Sequence, residues 1–201
     1  MAIVNGYCTL AELKARLSIS DSGDDAILEA VIEAASRAID GACNRFFYQT
    51  GAGQIRYFSV ASDILVLLDD CTAVTAVATD RNLDRGFTTV ISLSYVELGP
   101  LSASAYDKPF SELRIKPLAS ESFDYGKDML KVTGTWGWPA IPDAVNEACL
   151  LQAGRLFKRK DAPFGVTGGG EVGTAISLRA VDPDVLVLLG PYRRIGLIDL
   201  V

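Results

Sequence analysis

Histidine is absent from the 201 residues. That excludes Ser/His/Asp and Cys/His triads, HExxH zinc sites and histidine acid–base chemistry. Cysteine is sparse, at Cys8, Cys43, Cys71 and Cys149, and no CxxC pair occurs. Neither a metal site nor a disulfide framework is expected. The four thiols are expected to be reduced and mostly buried, with Cys43 and Cys149 on apolar helix faces and a reducing cytoplasm as the place of synthesis. Long apolar runs are missing too. No purely aliphatic run is longer than that of Ile64 to Leu68, whereas a membrane-spanning helix needs about 20 apolar residues. The N-terminus lacks a basic stretch followed by an apolar one, so no secretory signal is expected. Positive charge is not in excess: 19 Lys and Arg face 25 Asp and Glu, a net charge of −6. Tight binding of nucleic acid through its phosphates is therefore disfavoured.

What remains is a composition suited to a folded core. Hydrophobic residues make up 49% and charged residues 22%, which rules out a wholly disordered chain. The length suits one domain, or one domain with an insertion. The mean hydropathy of +0.25 leans toward an assembly with buried subunit contacts.

Helical signals occupy the two ends of the chain. Thr9-Leu-Ala-Glu12 has the form of a capping box, and Leu10, Leu13 and Leu17 follow at helical spacing. After Ser18 to Gly23, with Asp21 or Ser22 as a cap, a second helix is predicted from about Asp24 to Asn44. Ile27, Leu28, Val31, Ile32, Ala35 and Ile39 form its apolar stripe, and Glu29, Glu33, Arg37 and Asp40 lie opposite. From Gln49 the period changes. Ile55 to Val60, Ile64 to Leu68, Ala73 to Thr79, Thr88 to Leu98, Glu112 to Ile115 and Met129 to Thr135 read as strands between Asp, Asn, Gly and Pro turns. No helical units separate them, so the sheet is expected to be mostly antiparallel. Pro142 fits the first position of a third helix, which ends near Lys160. The basic cluster Arg155, Lys158, Arg159 and Lys160 then suits its C-terminal dipole. A Gly-rich loop covers 162–173. Asp182-Pro183 starts a short helix over 184–189, and an apolar tail follows.

The expected fold class is α+β: an α-helical bundle built from the N- and C-terminal helices, with an inserted, mostly antiparallel β region. The segments are N-terminal helices at 1–48, the β insertion at 49–138, C-terminal helices with the Gly-rich loop at 139–190, and a docking tail at 191–201.

Candidate chemistry is thin. Gly168 to Gly170 lacks the Lys-Ser/Thr of a phosphate loop and reads as a flexible connection. Asp69 and Asp70 follow a predicted strand, and adjacent residues in extended chain point to opposite faces, so they are not expected to share a site. Asp24 and Asp25 suit a helix start. Trp136-Gly137-Trp138-Pro139, with Pro142, reads as junction packing between two subdomains. Exposed Trp rings would instead make a carbohydrate platform. No catalytic residue and no cofactor are expected.

The stretch Val132-Thr-Gly-Thr-Trp-Gly-Trp-Pro-Ala-Ile-Pro142, followed by an Ala-rich helix ending Arg155-Leu-Phe-Lys-Arg-Lys160, resembles the head–tail connector (adaptor) proteins of long-tailed bacteriophages. So do Thr9 to Leu17, the long helix ending Cys43-Asn-Arg-Phe46, and Asp182 to Arg194. The β region matches only loosely, through Tyr95 to Pro100 and Pro109 to Leu113. The resemblance implies a structural virion protein at the head–tail interface, not an enzyme. It would form a homo-oligomeric ring, usually of twelve copies, beneath the portal protein. It would extend the DNA channel, through which double-stranded DNA passes without specific binding, and receive a head-closure or tail protein. Carried over, the portal-binding candidates are Tyr192, Arg193, Arg194, Ile195, Leu197 and Ile198. Phe164, Gly165, Val166, Gly168, Gly169 and Gly170 become candidates for contact with a ring neighbour or the next neck protein. The alternatives are another neck component, such as a head-closure or tail-terminator protein, or a carbohydrate-binding module.

Overall fold

The computed structural model describes residues 3–160 and 181–194. The chain divides into two compact units, one of residues 1–47 and 141–201 and the other of 48–140.

The helical unit contains α1 (Leu10–Leu17), α2 (Asp25–Cys43), α3 (Asp143–Lys158) and α4 (Pro183–Leu189). The capping box forms as the sequence predicts. Thr9 Oγ1 accepts the Glu12 amide at 3.2 Å, and the Glu12 carboxylate takes the Thr9 amide at 2.7 Å. α1 stops at Ser18, which adopts a left-handed conformation with φ of 58°. The start of α2 differs from expectation. Asp24 is its N-cap without a side-chain cap bond, while Asp21 turns to the Gly23 amide at 2.9 Å. Pro142 likewise sits one residue earlier than predicted, extended at the N-cap, with Asp143 as the first helical residue. Leu28, Ile32, Ala35, Ile39 and Cys43 of α2 are fully buried, as are Val145, Ala148, Cys149 and Ala153 of α3 and Val185 and Leu189 of α4. Each large aliphatic among them contributes roughly 1.5–3 kcal/mol by leaving water.

The β unit is a six-stranded sheet ordered β1 (Gln54–Val60), β6 (Gly126–Trp136), β2 (Leu65–Thr79), β5 (Phe110–Ile115) and β4 (Val96–Gly99), with β3 (Thr89–Ile91) also on β2. Every pairing is antiparallel. The α+β class with an inserted antiparallel β region is borne out. Two strand expectations are corrected. Ile64 to Leu68 and Ala73 to Thr79 belong to one strand, because β2 crosses Asp69, Asp70 and Cys71 through irregularities in its pairing with β5 and β6. Thr88 to Leu98 is not one strand, because a 3-10 turn at Leu93–Tyr95 divides it, capped by Ser92. β6 approaches β2 closely at Gly134, where a Cβ would lie 2.3 Å from the Ala73 carbonyl oxygen. Asp80, buried at the end of β2, accepts the amides of Asp84 and Arg85 at 3.1 Å and so shapes the following turn.

Candidate docking region at the end of the helical unit

The region where the described chain ends is built on α2. Asn44 terminates the helix in a left-handed conformation, φ 52°. The last carbonyls of α2 then need donors. The C-terminal segment supplies them: the Arg194 amide donates to the Cys43 carbonyl at 2.8 Å, and Arg193 Nε donates to the Ala42 carbonyl at 3.2 Å. A guanidinium at this point also faces the negative end of the helix dipole. Tyr192 packs edge-on against Phe47, with ring centroids 5.9 Å apart, and Phe47 packs edge-on against Tyr7 at 5.7 Å.

Tyr7 organises this end. Its hydroxyl donates to Asp40 Oδ1 and accepts the Phe47 amide at 2.8 Å. Its amide donates to Ser36 Oγ at 3.0 Å, and its carbonyl accepts from Asn146 Nδ2 at 3.0 Å. Arg37 pairs with Asp40 at 2.9 Å and lies over the Tyr7 ring. Burial raises the Tyr7 hydroxyl pKa further above its ordinary value, and the bond to Asp40 adds to this. Burial also raises Asp40, against the opposing pulls of Tyr7 and Arg37. Sequence reasoning placed Asp40 on the outer side of α2 and did not single out Tyr7, Phe47 or Asn146. No local pattern links positions this distant; the one clue was a carboxylate in the last turn of a helix, where a cation would be expected.

The expected portal-binding residues therefore divide. Tyr192, Arg193 and Arg194 are anchored to their own helical unit. Ile195, Leu197 and Ile198 lie outside the described residues, as do Phe164, Gly165, Val166, Gly168, Gly169 and Gly170. The basic cluster of α3 makes ion pairs within its unit: Arg155 with Asp182 at 3.4 Å, and Lys160 with Asp24 at 2.7 Å. Asp182 also caps α4 through the Asp184 amide.

In the β unit, Trp136 and Trp138 are buried. Trp136 Nε1 donates to the Gln54 carbonyl at 3.0 Å, and Trp138 Nε1 to Asp70 Oδ2 at 3.2 Å. A sugar-stacking platform needs exposed rings, so the carbohydrate alternative loses its basis. Asp69 instead pairs with Arg56 at 2.8 Å, and Arg56 lies over the Trp136 ring. The two adjacent carboxylates do not share a site, as their strand position implies. All four cysteines are free and buried. Burial pushes Cys43 and Cys71 each up to about 11. Among the described residues no group of three or more His, Cys, Asp or Glu is placed to hold a metal ion, and no helix is long and apolar enough to cross a membrane.

Residues 7–96 match the family model described as phage gp6-like head-tail connector protein. The match agrees with the resemblance to head–tail connectors read from the sequence. The matched segment runs from Tyr7 through α1, α2, β1, β2 and β3 to the first residue of β4. Among solved structures, this chain resembles one in the neck of an empty GTA particle computed with C6 symmetry. The TM-score is 0.61 at 18% identity, covering 98% of this chain and 94% of that one. It also resembles a chain in the virion of a native gene transfer agent (GTA) particle, with a TM-score of 0.53 at 16% identity and the same coverage. These likenesses extend over both units and concern the fold. No curated protein matches in sequence.

Proposed function

We propose that the chain is a head-to-tail adaptor, a structural virion protein of the neck that turns over no substrate. The observation that carries this reading is the connector-family match over 7–96, set within a fold shared along nearly the whole chain with a particle-neck subunit. In this reading about twelve copies form a ring beneath the portal. The ring extends the DNA channel and presents its far side to a head-closure or tail protein. Subunits are made in the host cytoplasm and end in the virion.

The surface supports an assembling subunit. Leu67, Leu83, Val90, Leu101, Tyr106 and Leu118 of the β unit are exposed, apolar side chains that a ring neighbour would cover. Contacts around a ring are heterologous and close by rotation. The net charge of −6 suits a channel that DNA traverses without being held. The portal contact is assigned to 195–201, with Tyr192, Arg193 and Arg194 fixing where that segment leaves the helical unit. The loop around Phe164 to Gly170 is assigned to a ring neighbour or to the next neck protein.

The test is attachment of purified protein to portal-bearing heads. Removing residues 195–201 should abolish attachment while circular dichroism and thermal melting stay unchanged. Normal attachment of the shortened protein would remove the tail assignment. Finding the subunit elsewhere than against the portal in an imaged neck would remove the adaptor reading itself.

A further inference from the structure

Two cysteines remote in sequence meet inside the helical unit. Cys8 lies in the segment leading into α1 and Cys149 in the middle of α3, and their Sγ atoms are 3.3 Å apart. Cys8 is 4% exposed and Cys149 fully buried. The backbone around Cys8 is fixed on both sides. Tyr7 is held by Ser36 and Asn146, and Thr9 closes the capping box. Just upstream, Gly6 fits so tightly that a Cβ would lie 2.4 Å from Ile3 Cγ2 and 3.0 Å from Ile32 Cγ2. Ser36 Oγ stands 3.5 Å from Cys149 Sγ while donating to the Ile32 carbonyl. A disulfide requires the sulfurs to close from this separation to about 2.0 Å.

We infer that Cys8 and Cys149 are an oxidisable dithiol, a site where a two-electron oxidant fastens the N-terminal segment to α3. The environment polarises the pair. Cys8 is raised by its hydrogen bond to Cys149 and by burial, whereas that same bond holds Cys149 below its ordinary value against its own burial. Cys8, the only one of the two with any exposure, is the thiol an oxidant meets first, and Cys149 closes the bond. With a small diazene such as diamide, the Cys8 sulfur adds to one nitrogen and its proton passes to the other. Cys149, losing its proton, then attacks the Cys8 sulfur, forming the S–S bond and expelling a hydrazine anion, which is protonated. Two thiols are oxidised by two electrons and the diazene is reduced to the hydrazine. Formation of the bond rests on the geometry alone. Its timing rests on the virion reading above: the reducing cytoplasm keeps the pair open during synthesis. Once the particle has left the cell, a low-molecular-weight disulfide, itself reduced to two thiols, closes it. The bond spans the whole β unit in sequence, and long closed loops restrict the unfolded chain most.

The experiment treats purified full-length protein with diamide, alkylates the remaining thiols and maps the peptides. The expected product is a peptide joining Cys8 to Cys149, with an intact mass lower by two hydrogens. Cys43 and Cys71 should become alkylated only on denaturation. The melting temperature should rise by several degrees and fall back with reductant. Cys8→Ser and Cys149→Ser should each block both changes; if Cys8→Ser fails to fold by circular dichroism, Cys8→Ala replaces it. An unchanged mass, an adduct that never resolves to a disulfide, or a link through Cys43 or Cys71 would overturn the inference. No portal or particle enters the assay, so its failure is separate from failure of the adaptor reading.

Discussion

The helical unit and the β unit hold themselves together by different means. In the helical unit, side chains tie together segments far apart in sequence: Tyr7 to Asp40 and Phe47, Asn146 to Tyr7, Arg193 to the end of α2. In the β unit the long-range ties are chiefly backbone pairings, and each strand's side chains depend on the register of its neighbours. A single lost side-chain bond should therefore weaken the first unit modestly, whereas a single added atom can spoil the second.

The sharpest way to break that contrast is Gly134→Ala. The new methyl would sit 2.3 Å from the Ala73 carbonyl oxygen, so β6 and β2 must part or shift. A cost of about 4 kcal/mol is expected, at the upper end for a point substitution. Amide exchange should accelerate throughout β1, β6 and β2 while α2 and α3 keep their protection. Unchanged exchange in the sheet would show that the strands accommodate the methyl and that the close approach has no energetic weight.

In the helical unit the corresponding loss is smaller. Tyr7→Phe keeps the ring against Phe47 and removes the hydroxyl that donates to Asp40 and accepts the Phe47 amide. About 1–3 kcal/mol is expected for stripping the partner from buried polar groups, measured by denaturant unfolding with an unaltered slope. A neutral substitution would mean that water replaces the hydroxyl and that Tyr7 acts only as an apolar ring.

This contrast also explains what could be read from the chain. Helix signals are local. The residues of the Thr9–Glu12 box, and those of the α2 stripe, lie within a few positions of one another; the box forms, and Leu28, Ile32, Ala35 and Ile39 of the stripe are buried, whereas Val31 is half-buried and Ile27 faces solvent. Strand signals depend on partners. Nothing near Asp69 and Asp70 shows that β2 continues through them, because what keeps it extended is pairing with β5 and β6. The short piece around Leu93 turns aside because Ser92 caps a 3-10 turn, a hydroxyl interaction with the Ser94 amide that competes with the ladder. At the docking region, the sequence reading offers Tyr192, Arg193 and Arg194 as portal-binding candidates and not as anchors of their own unit. The partners of Arg193 and Arg194 are backbone carbonyls of α2, which have no sequence signature, and Tyr192 packs on the distant Phe47 ring.

A local helix signal should also have a local cost. Thr9→Ala removes the oxygen that accepts the Glu12 amide and should cost about 1 kcal/mol, with faster exchange confined to the first turn of α1. Destabilisation spreading into α3 would mean that the cap also positions the Tyr7–Cys8 segment.

The smallest effect concerns pH, where two carboxylates of the helical unit pull in opposite directions. Glu12 is lowered, chiefly by the Thr9 amide and then by the Thr9 side chain. Its contribution is present above the unfolded carboxylate range and is lost as pH falls through its folded value. Asp40 is raised, chiefly by burial. Its contribution is present below the unfolded range and is lost as pH rises through its folded value. Unfolding free energies measured from about pH 3 to pH 7, across the ordinary carboxylate range, should separate the two. The difference between wild type and Asp40→Asn should shrink or reverse as pH rises. The difference between wild type and Glu12→Gln should grow over the same interval, only slightly because Glu12 is exposed and well screened. A pH-independent gap for Asp40→Asn would mean that Tyr7 and Arg37 fully offset its burial, and that the end of α2 carries an ordinary surface carboxylate after all.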